Sequence, residues 1–391
     1  MFEPLSTEFR KDPYPIFERL RNEAPVYWHG QLKGFILSRY DDCLSALRDN
    51  EIYARDFRRI SGDQSIKSVN IQSEDPPENS TFRKIIVSQL HKQDLDLISS
   101  EAVQYMCSLI EQNRQKPGFD YMYEIAAPVA MRLTCRFMGV DEIELNEYMP
   151  ISRAITRLMD SGLDPTRIEA GREAGANLNK RMTEWMRSET STGMIGTIMR
   201  HKVVPMQVKT KGVEYVKSTL SAIFNASYGA THALLGSFTQ LLITKKEIHE
   251  SLLACTNPSI AAQEVLRYLS PAQATTRWAL NDVVLEGDHV IPAKTPVIIL
   301  MASANRDETQ FSNPNDVNPA RTPNRHLALA WGPHACIGNR LISTFLTCVV
   351  QNALPIYKSL KLKGEPLYLD SATLRTLEYL PLTLSQNKAS L

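Results

Sequence analysis

The chain has 391 residues, of which 43% are hydrophobic and 22% are charged, the balance of an ordinary globular protein. Its 44 Lys and Arg residues nearly equal its 43 Asp and Glu residues, which disfavours nucleic-acid binding because such proteins usually carry a basic excess. The six scattered cysteines form no CxxC pair and predict reduced thiols in a cytoplasmic protein. The sequence shows neither a signal peptide nor an apolar run of about 18 residues, so no membrane span is expected.

The first half of the chain predicts short elements followed by helices. Pro13 marks the start of a helix. Alternating β-branched and aromatic residues over 24–38 predict a β-hairpin, and apolar residues return to helical spacing over 40–49. Residues 80–193 then indicate several amphipathic helices separated by short polar turns.

The second half predicts one long helix and one long irregular segment. Small and apolar residues over 213–245 predict a helix long enough to cross the centre of a domain, and a second helix follows over 258–268. Residues 283–300 predict strands around a Gly-Asp turn. The stretch FSNPNDVNPARTPNRH, residues 311–326, has no regular pattern, and a segment of that length inside a compact domain usually has a function.

Cys336 stands out from the other cysteines because of its position. Gly332 and Gly338 flank it, and a strongly apolar helical pattern begins at Leu341. Backbone N–H groups at a helix N-terminus favour the thiolate over the thiol, and a stabilised thiolate is what an axial ligand of haem iron requires. A lone cysteine is more often a buried packing residue, and that interpretation is kept for the cysteines on apolar helical faces: Cys107, Cys135 and Cys348.

The run WGPHACIGNR, residues 331–340, resembles the proximal cysteine loop of the cytochrome P450 family, Phe-Gly-x-Gly-x-His-x-Cys-x-Gly. Three further motifs match the family in order and spacing: Asp75-Pro76-Pro77-Glu78, Glu264-Val265-Leu266-Arg267 and Ala304-Asn305-Arg306-Asp307. The resemblance implies a single P450 domain over 1–391. It would be mainly α with small β-sheets, with β-rich portions at both ends and a helical core over about 75–270 and 340–360. Haem b would lie between the long central helix and the cysteine loop, with Cys336 as the iron ligand.

The resemblance also implies roles for charged residues. Glu264 and Arg267 are three residues apart and share a helix face; in the family such a pair is buried, and Arg321 is expected to complete the triad. The two haem propionates need cationic donors, and Arg83, Arg277 and His334 match positions that serve them. The remaining residues expected near the cofactor are Asn79, His326, Gly332 and Gly338.

The central helix departs from the family pattern Ala-Gly-x-(Glu/Asp)-Thr-Thr. The best register places Ala226-Ser227-Tyr228-Gly229-Ala230-Thr231 there, so that Gly229 replaces the acid and Ala230 the first threonine. The usual proton relay is then missing, although a shift of one residue would restore Thr231. The other groups that could bring a proton within hydrogen-bond reach are Asn225, Ser227, Tyr228, His232 and a hydroxyl of the substrate.

Two further sets of residues follow from the resemblance. The substrate pocket is expected between the loop 56–73, the central helix near 223–231, and the segments 273–276 and 373–374. Its walls would combine apolar residues (Ile60, Ile66, Val69, Ile71, Phe224 and Leu374) with polar ones (Asn225, Gln273, Thr275 and Thr373), which favours a medium-sized, partly aromatic or polar ligand. In the cysteine loop, Leu329 and Ala330 replace the usual Phe-Gly, which is expected to change the packing around the sulfur.

Three functions are compatible with this pattern. The first is a haem-thiolate oxidase of specialised metabolism that acts on a small aromatic or phenolic substrate by radical coupling or ring formation. The second is a conventional hydroxylase that takes its proton from Thr231 or the substrate, and the third is a haem-binding protein without turnover. Because the chain has no flavin or iron–sulfur segment, electrons are expected from a ferredoxin and its reductase, docked near Arg340.

Overall fold

The computed structural model describes residues 2–63, 70–201 and 204–385. Ile66 and Val69, expected in the pocket wall, lie outside these ranges. The helices are α1 Thr7–Lys11, α2 Tyr14–Glu23, α3 Tyr40–Arg48, α4 Arg58–Ser61, α5 Ser80–His91, α6 Leu95–Gln112, α7 Ala127–Met138, α8 Leu145–Leu158, α9 Arg167–Arg187, α10 Gly193–Met199, α11 Val204–Lys211, α12 Val213–Thr244, α13 Lys246–Leu253, α14 Pro258–Leu269, α15 Met301–Ala304, α16 Asn339–Asn352 and α17 Leu354–Tyr357.

Short strands join the two ends of the chain. They are β1 Val26–His29, β2 Gly34–Leu37, β3 Tyr53–Ala54, β4 Phe119–Asp120, β5 Thr275–Ala279, β6 Val283–Leu285, β7 His289–Ile291, β8 Pro296–Ile299, β9 Leu360–Leu362, β10 Leu367–Tyr368, β11 Leu377–Tyr379 and β12 Pro381–Leu384. The largest sheet has the order β1-β2-β8-β5-β3. Its pairs are antiparallel except β2 with β8. The smaller sheets are β4-β12-β9, β6-β7 and β10-β11.

The mainly helical architecture with small sheets agrees with the sequence. The predicted hairpin corresponds to β1 and β2, the predicted long helix to α12, and the predicted helix over 258–268 to α14. A π-helical turn, Met122–Ala126, precedes α7 and was not foreseen. That the whole chain forms one domain stays a prediction.

The central helix α12 is buried along most of its length and packs against α7, α8 and α9. The helix α16 packs against α6 and α14. Between α15 and α16, residues 305–331 form neither helix nor strand, and a single 3₁₀ turn, Gly332–His334, follows. In the described part of the chain, no helix is long and apolar enough to cross a membrane.

Candidate active site

Cys336 lies in a tight loop that leads into α16. Its N–H donates to the carbonyl of Leu329 at 2.8 Å, and the N–H of Ala335 donates to the carbonyl of Gly332 at 3.0 Å. The N–H of Gly338 is directed at the Cys336 sulfur. The loop therefore points a backbone donor at the sulfur, as the sequence predicted, and holds the residue by backbone bonds on both sides.

The Cys336 side chain is accessible and yet surrounded by protein. Cys336 is exposed by surface area, yet burial raises the pKa of its thiol, against the opposing effects of the Gly338 N–H and the Arg83 charge. Both observations hold if the exposed side borders a recess that protein encloses. A thiol in such a place is protonated by itself, whereas a bound metal cation stabilises the thiolate form.

Two residues of the loop have left-handed backbone conformations. Gly332 has φ 72°, and a Cβ there would lie 2.5 Å from the carbonyl oxygen of Leu47 at the end of α3. Only glycine fits this close approach. Ala330, which stands where the family has glycine, has φ 54° and therefore holds its side chain in a conformation that is unfavourable for L-residues.

A buried carboxylate fixes the irregular segment 305–331. Glu264 binds Arg267 through two bonds of 2.8 Å and Arg321 through two of 3.1 Å. It also accepts hydrogen bonds from the Asn318 N–H and the Asn324 amide. Burial alone would raise the pKa of Glu264, and its bonds, that of Arg267 first, lower it. The structure thus brings together all three residues of the predicted triad.

Asn305 and Asp307 are further anchors of this segment. The Asn305 amide donates to the Ser270 hydroxyl at 2.7 Å and accepts from the Leu327 N–H at 2.6 Å. Asp307 accepts the N–H of Tyr40 at 2.8 Å and so ties the segment to the start of α3. The motif Ala304-Asn305-Arg306-Asp307 was recognised from the sequence. Its hydrogen-bond partners, 22 to 267 positions away along the chain, were not predictable from it.

A cluster of cations lies beside the cysteine loop. Arg277 is buried, its Nη2 has no hydrogen-bond partner, and burial lowers its pKa to about 9. His334 binds Asp75 through Nε2 at 2.8 Å. Arg55, which sequence reasoning missed, acts electrostatically on both Arg277 and His334. Cationic groups with a free donor next to Cys336 are suited to the two carboxylates of haem, so the residues present fit that cofactor.

Arg83, Asn79 and His326, which were also expected at the cofactor, bind partners outside the group formed by Arg277, His334 and Asp75. Arg83 donates a hydrogen bond to the carbonyl of Ala335, directly before Cys336. Asn79 is buried and donates to the Glu74 carbonyl at 2.7 Å. His326 binds Gln263 at 3.0 Å, and burial and the Arg267 charge lower its pKa to about 4. The structure therefore places His326 beside the triad and not with Arg277.

One face of the central helix is formed by alanines. Ala226 is exposed and Ala230 partly exposed, as are Asn225 and Ser227, whereas Tyr228 and Gly229 are buried. Four residues apart, the two alanines share a face. Thr231, at 2% exposed, is not accessible on that face. Gly229 faces the segment 373–374, since a Cβ there would lie 3.7 Å from the Leu374 side chain.

The polar side chains of this part of α12 contact other helices. Ser227 hydrogen-bonds Thr134 of α7 at 3.0 Å, and Asn225 accepts from the Tyr148 hydroxyl of α8 at 3.0 Å. Tyr228 packs edge-on against Tyr148 and stacks on His232. Phe224, expected in the pocket wall, is buried against Tyr148 and Trp185. These side chains belong to the helical core.

The segment 371–374 is held by a buried carboxylate. Asp160, directly after α8, accepts bonds from the hydroxyl and N–H of Thr373 at 2.7 and 3.0 Å. The Thr373 carbonyl accepts the Gln273 N–H at 2.9 Å, and the Gln273 amide donates to the Ser270 carbonyl at 2.6 Å. Thr275 accepts from Arg55 at 3.1 Å. Four of the predicted pocket residues, Gln273, Thr275, Thr373 and Leu374, thus come from two neighbouring segments, and the apolar Leu374 lies next to Gly229 of α12.

A groove of about 660 Å³ lies between α5 and the cysteine loop. Pro333 and Gly332 form one side. Its charged lining is entirely basic: Arg83, Lys84, His91 and Lys92. Because Arg83 reaches the carbonyl before Cys336, the groove connects the surface with the loop that carries the sulfur.

Comparisons with known proteins agree with this geometry. The family model for cytochrome P450 matches residues 260–355. The polyketide biosynthesis cytochrome P450 PksS of Bacillus subtilis is 26% identical over 99% of both chains. A solved structure of PksS superposes with a TM-score of 0.81 at 25% identity and covers 98% of this chain and all of that one.

The chain belongs to the cytochrome P450 family. This P450 is therefore an oxidoreductase, and its cofactor is haem whose iron is bound by a cysteine. Its curated relatives also include a 6-deoxyerythronolide B hydroxylase of Saccharopolyspora erythraea, 25% identical over 86% of both chains, and an epothilone C/D epoxidase of Sorangium cellulosum, 24% identical over 99% of this chain and 96% of that one. Such relatives place it among the oxidases of specialised metabolism.

Replacing Glu264 by Gln should lower the free energy of unfolding by about 3 kcal/mol or more, because it leaves two buried guanidinium groups without a carboxylate. The measurement is urea unfolding of the holoenzyme at neutral pH. Glu147→Gln, which breaks an exposed pair with Arg181, is the matched control and should change it by less than about 1 kcal/mol. Since the fold lowers the pKa of Glu264, the contribution of its carboxylate to the free energy of unfolding is complete at neutral pH and is lost on acidification. Equal losses of stability in Glu264→Gln and Glu147→Gln would contradict the anchoring role.

Replacing Ala330 by Gly should raise the free energy of unfolding by about 0.5–1 kcal/mol. The relief of the left-handed conformation exceeds the added entropy of the unfolded chain. Ala335→Gly in the same loop, at φ −52°, gains no such relief and should instead be destabilising by about 0.5–1 kcal/mol. Thermal or urea unfolding of the two variants measures the change in the free energy of unfolding and its sign in each. A destabilised Ala330→Gly would show that the alanine conformation is not strained.

Proposed function

We propose that this P450 oxidises a small specialised metabolite at a haem bound by Cys336, without a proton donor from the accessible face of its central helix. The observation that supports the proposal most directly is the pair of alanines, Ala226 and Ala230, on that face of α12. When bound, haem supplies the activation of oxygen and the oxidising power. The residues of the chain hold the cofactor, shape the pocket and control which protons are available.

On the proximal side, the chain's residues prepare the sulfur. The Gly338 N–H points at it, and the Arg83 cation lies near enough to favour a negative charge. Donors to a thiolate reduce the electron density it gives to its metal, so they tune the potential of the cofactor. On the propionate side, Arg277 and His334 are the residues proposed to hold the haem carboxylates.

On the distal side, the candidate proton donors of α12 are hydrogen-bonded or buried. The Tyr228 hydroxyl and the His232 Nε2 are buried without a hydrogen-bond partner among the described residues. The Ser227 hydroxyl and the Asn225 amide make hydrogen bonds to α7 and α8, and Thr231 is buried. A general acid must lie within hydrogen-bond reach of the reacting oxygen. This arrangement supports a reaction that abstracts electrons and hydrogen atoms from a phenolic substrate, such as coupling or ring closure. Reduction of dioxygen to water would still consume protons, and the hydroxyl groups of such a substrate would bring them to a site where the protein offers none.

The second candidate is hydroxylation with a proton from a substrate hydroxyl. Two relatives favour it, since their names are those of a hydroxylase and an epoxidase. Delivery by Thr231 has less support because its side chain is not on the accessible face. The third alternative, a haem-binding protein without turnover, is wrong because the chain is an oxidoreductase.

The described pocket walls favour a compact substrate. Ala222, Ile223, Ala226 and Ala230 are accessible small or aliphatic positions on α12, next to the partly exposed Asn225 and Ser227, and Leu374, which faces Gly229, is also apolar. The polar side chains of Gln273, Thr275 and Thr373 hydrogen-bond within the protein. A flat, largely apolar ring system with few polar groups suits such walls best, in keeping with the aromatic substrate proposed.

The proposed electron donor is a small acidic ferredoxin in the cytoplasm, itself reduced by a ferredoxin reductase. The basic groove between α5 and the cysteine loop supports this partner, because four cationic or titratable side chains line it without a carboxylate among its lining residues. Complementary charge steers such an encounter. Arg340, exposed at the start of α16, extends the same basic surface.

Product analysis under ¹⁸O₂ distinguishes the two reactions. We expect a coupled or cyclised product without label, from turnover of a compound that binds with a change in the haem spin state. A label at the reacting carbon would exclude coupling and favour the hydroxylase. Ala230→Thr places a hydroxyl on the accessible face of α12, and should raise the labelled by-product severalfold if the missing donor limits oxygen insertion. Ala170→Thr, exposed on α9, is the control.

Reversing charge in the groove should impair electron delivery. Lys84→Glu with Lys92→Glu is expected to raise the KM for ferredoxin by about 10-fold at low salt, and the difference should shrink as salt screens the charges. Lys180→Glu on α9, which does not line the groove, should leave the KM unchanged. Reduction by dithionite should be equal in all three proteins, and a groove variant with wild-type ferredoxin kinetics would place the docking surface elsewhere.

A further inference from the structure

Arg55 and Arg277 form a pair of neighbouring guanidinium groups. The strand β3 pairs with β5 so that Tyr53 lies opposite Ala279 and Ala54 opposite Trp278. Continuing this register brings Arg55 beside Arg277. Both side chains donate to the same hydroxyl, that of Thr275, at 3.1 and 3.4 Å.

Neither guanidinium group hydrogen-bonds to an acid in the described part of the chain. The further bond of Arg277 goes to the Thr276 carbonyl at 2.9 Å, and its Nη2 has no acceptor. Neutral oxygens therefore receive all the described hydrogen bonds of two neighbouring cations. The Arg55 charge lowers the pKa of Arg277, so a counter-charge beside the pair would stabilise both cations.

Asp75 supplies only part of this counter-charge. Its charge acts on both Arg55 and Arg277, but its oxygens bind other groups: His334 at 2.8 Å, Arg59 at 3.1 Å, and the backbone N–H groups of Arg55 and Asp56. These bonds outweigh burial and lower the pKa of Asp75 to about 2. One carboxylate is thus shared among three cationic or titratable side chains and Arg59.

The arginine pair lies close to the cysteine loop. Arg55 is only half-buried by surface area, yet burial lowers its pKa, the combination also found at Cys336. His334, two residues before Cys336, experiences the charges of both arginines. An anion bound beside His334 would therefore experience the positive charge of both arginines.

We propose that Arg55 binds a carboxylate of the haem, together with Arg277. The inference rests on the cysteine-ligated haem of this P450. Haem carries two propionates, and guanidinium groups form strong charge-assisted hydrogen bonds with carboxylates. The free Nη2 of Arg277 and the Nη1 of Arg55, which now donates to Thr275, are the donors available for them. Asp75 acts as a positioning residue, because it fixes the Arg55 backbone and orients His334.

The test compares Arg55→Gln, Arg55→Lys and wild type as ferric holoenzymes. The first readout is the propionate bending band in the resonance Raman spectrum, which responds to hydrogen bonding at the haem carboxylates. The second is the rate of haem transfer to excess apomyoglobin. We expect a shifted band and a haem loss about 10-fold faster in Arg55→Gln, as for removal of one charge-assisted bond, with partial restoration in Arg55→Lys.

Arg59→Gln is the matched control, since Arg59 also donates to Asp75 but is 30% exposed; its band and haem loss should equal those of wild type. An unchanged band in haem-replete Arg55→Gln would overturn the proposal even if haem loss accelerated, because a purely structural role moves only the rate. A shift of equal size in Arg59→Gln would also overturn it, since the effect would then come through Asp75. A wild-type protein that lacks the thiolate spectrum of the reduced carbonyl complex would overturn the role of Cys336 instead.

Discussion

The bonds between one buried carboxylate and two guanidinium groups hold the segment on which the active site depends. Residues 305–331 have no helix or strand to satisfy their backbone groups, and a buried unpaired carbonyl is costly. Arg267 donates to the carbonyls of Asn305, Pro314 and Asp316 while it also binds Glu264. Side-chain hydrogen bonds thus take the place of the backbone hydrogen bonds of a helix or sheet, and the segment that leads into the cysteine loop has a fixed position.

A buried ion network of this kind is weak evidence for stability, because desolvation of the charges opposes their attraction. Its value here is positional. Besides Arg267, Glu264 binds three residues of the segment, Asn318, Arg321 and Asn324, so one carboxylate fixes several points of an otherwise irregular path. Replacement by apolar residues would fill the same volume without specifying where each turn lies.

The charges around Arg55 and Arg277 are not balanced in the way that the charges around Glu264 are. At the triad the charges are paired within the protein, whereas Arg55 and Arg277 have more positive charge than Asp75 balances. An anionic ligand that binds only the folded protein stabilises it by mass action. Haem, through its carboxylates, is therefore expected to contribute to the stability of the fold as well as to its chemistry.

Much of the site was predictable because its signals are local. The cysteine loop, the Glu-x-x-Arg pair and the long central helix each lie within one stretch of sequence, and the structure places them as expected. Arg55 was not predictable, since its neighbours Asp75, Thr275 and Arg277 meet it only through sheet pairing and loop packing. The faces of α12 were equally obscure: in a helix that is apolar almost all round, periodicity does not say which residues face the recess, and Phe224 and Tyr228 turn into the helical core.

That arrangement of α12 has a consequence for selectivity. The hydroxyl of Ser227 and the amide of Asn225 bind neighbouring helices, so they fix the packing of α12 against α7 and α8 and are not free to move toward a ligand. Ala226 and Ala230 leave room on the accessible face but offer no hydrogen bond. In the proposed reaction, any proton that the chemistry needs therefore comes from the substrate or an ordered water. Under this proposal recognition and chemistry are joined, because a substrate that carries such a group reacts more readily than a molecule that only fits the site.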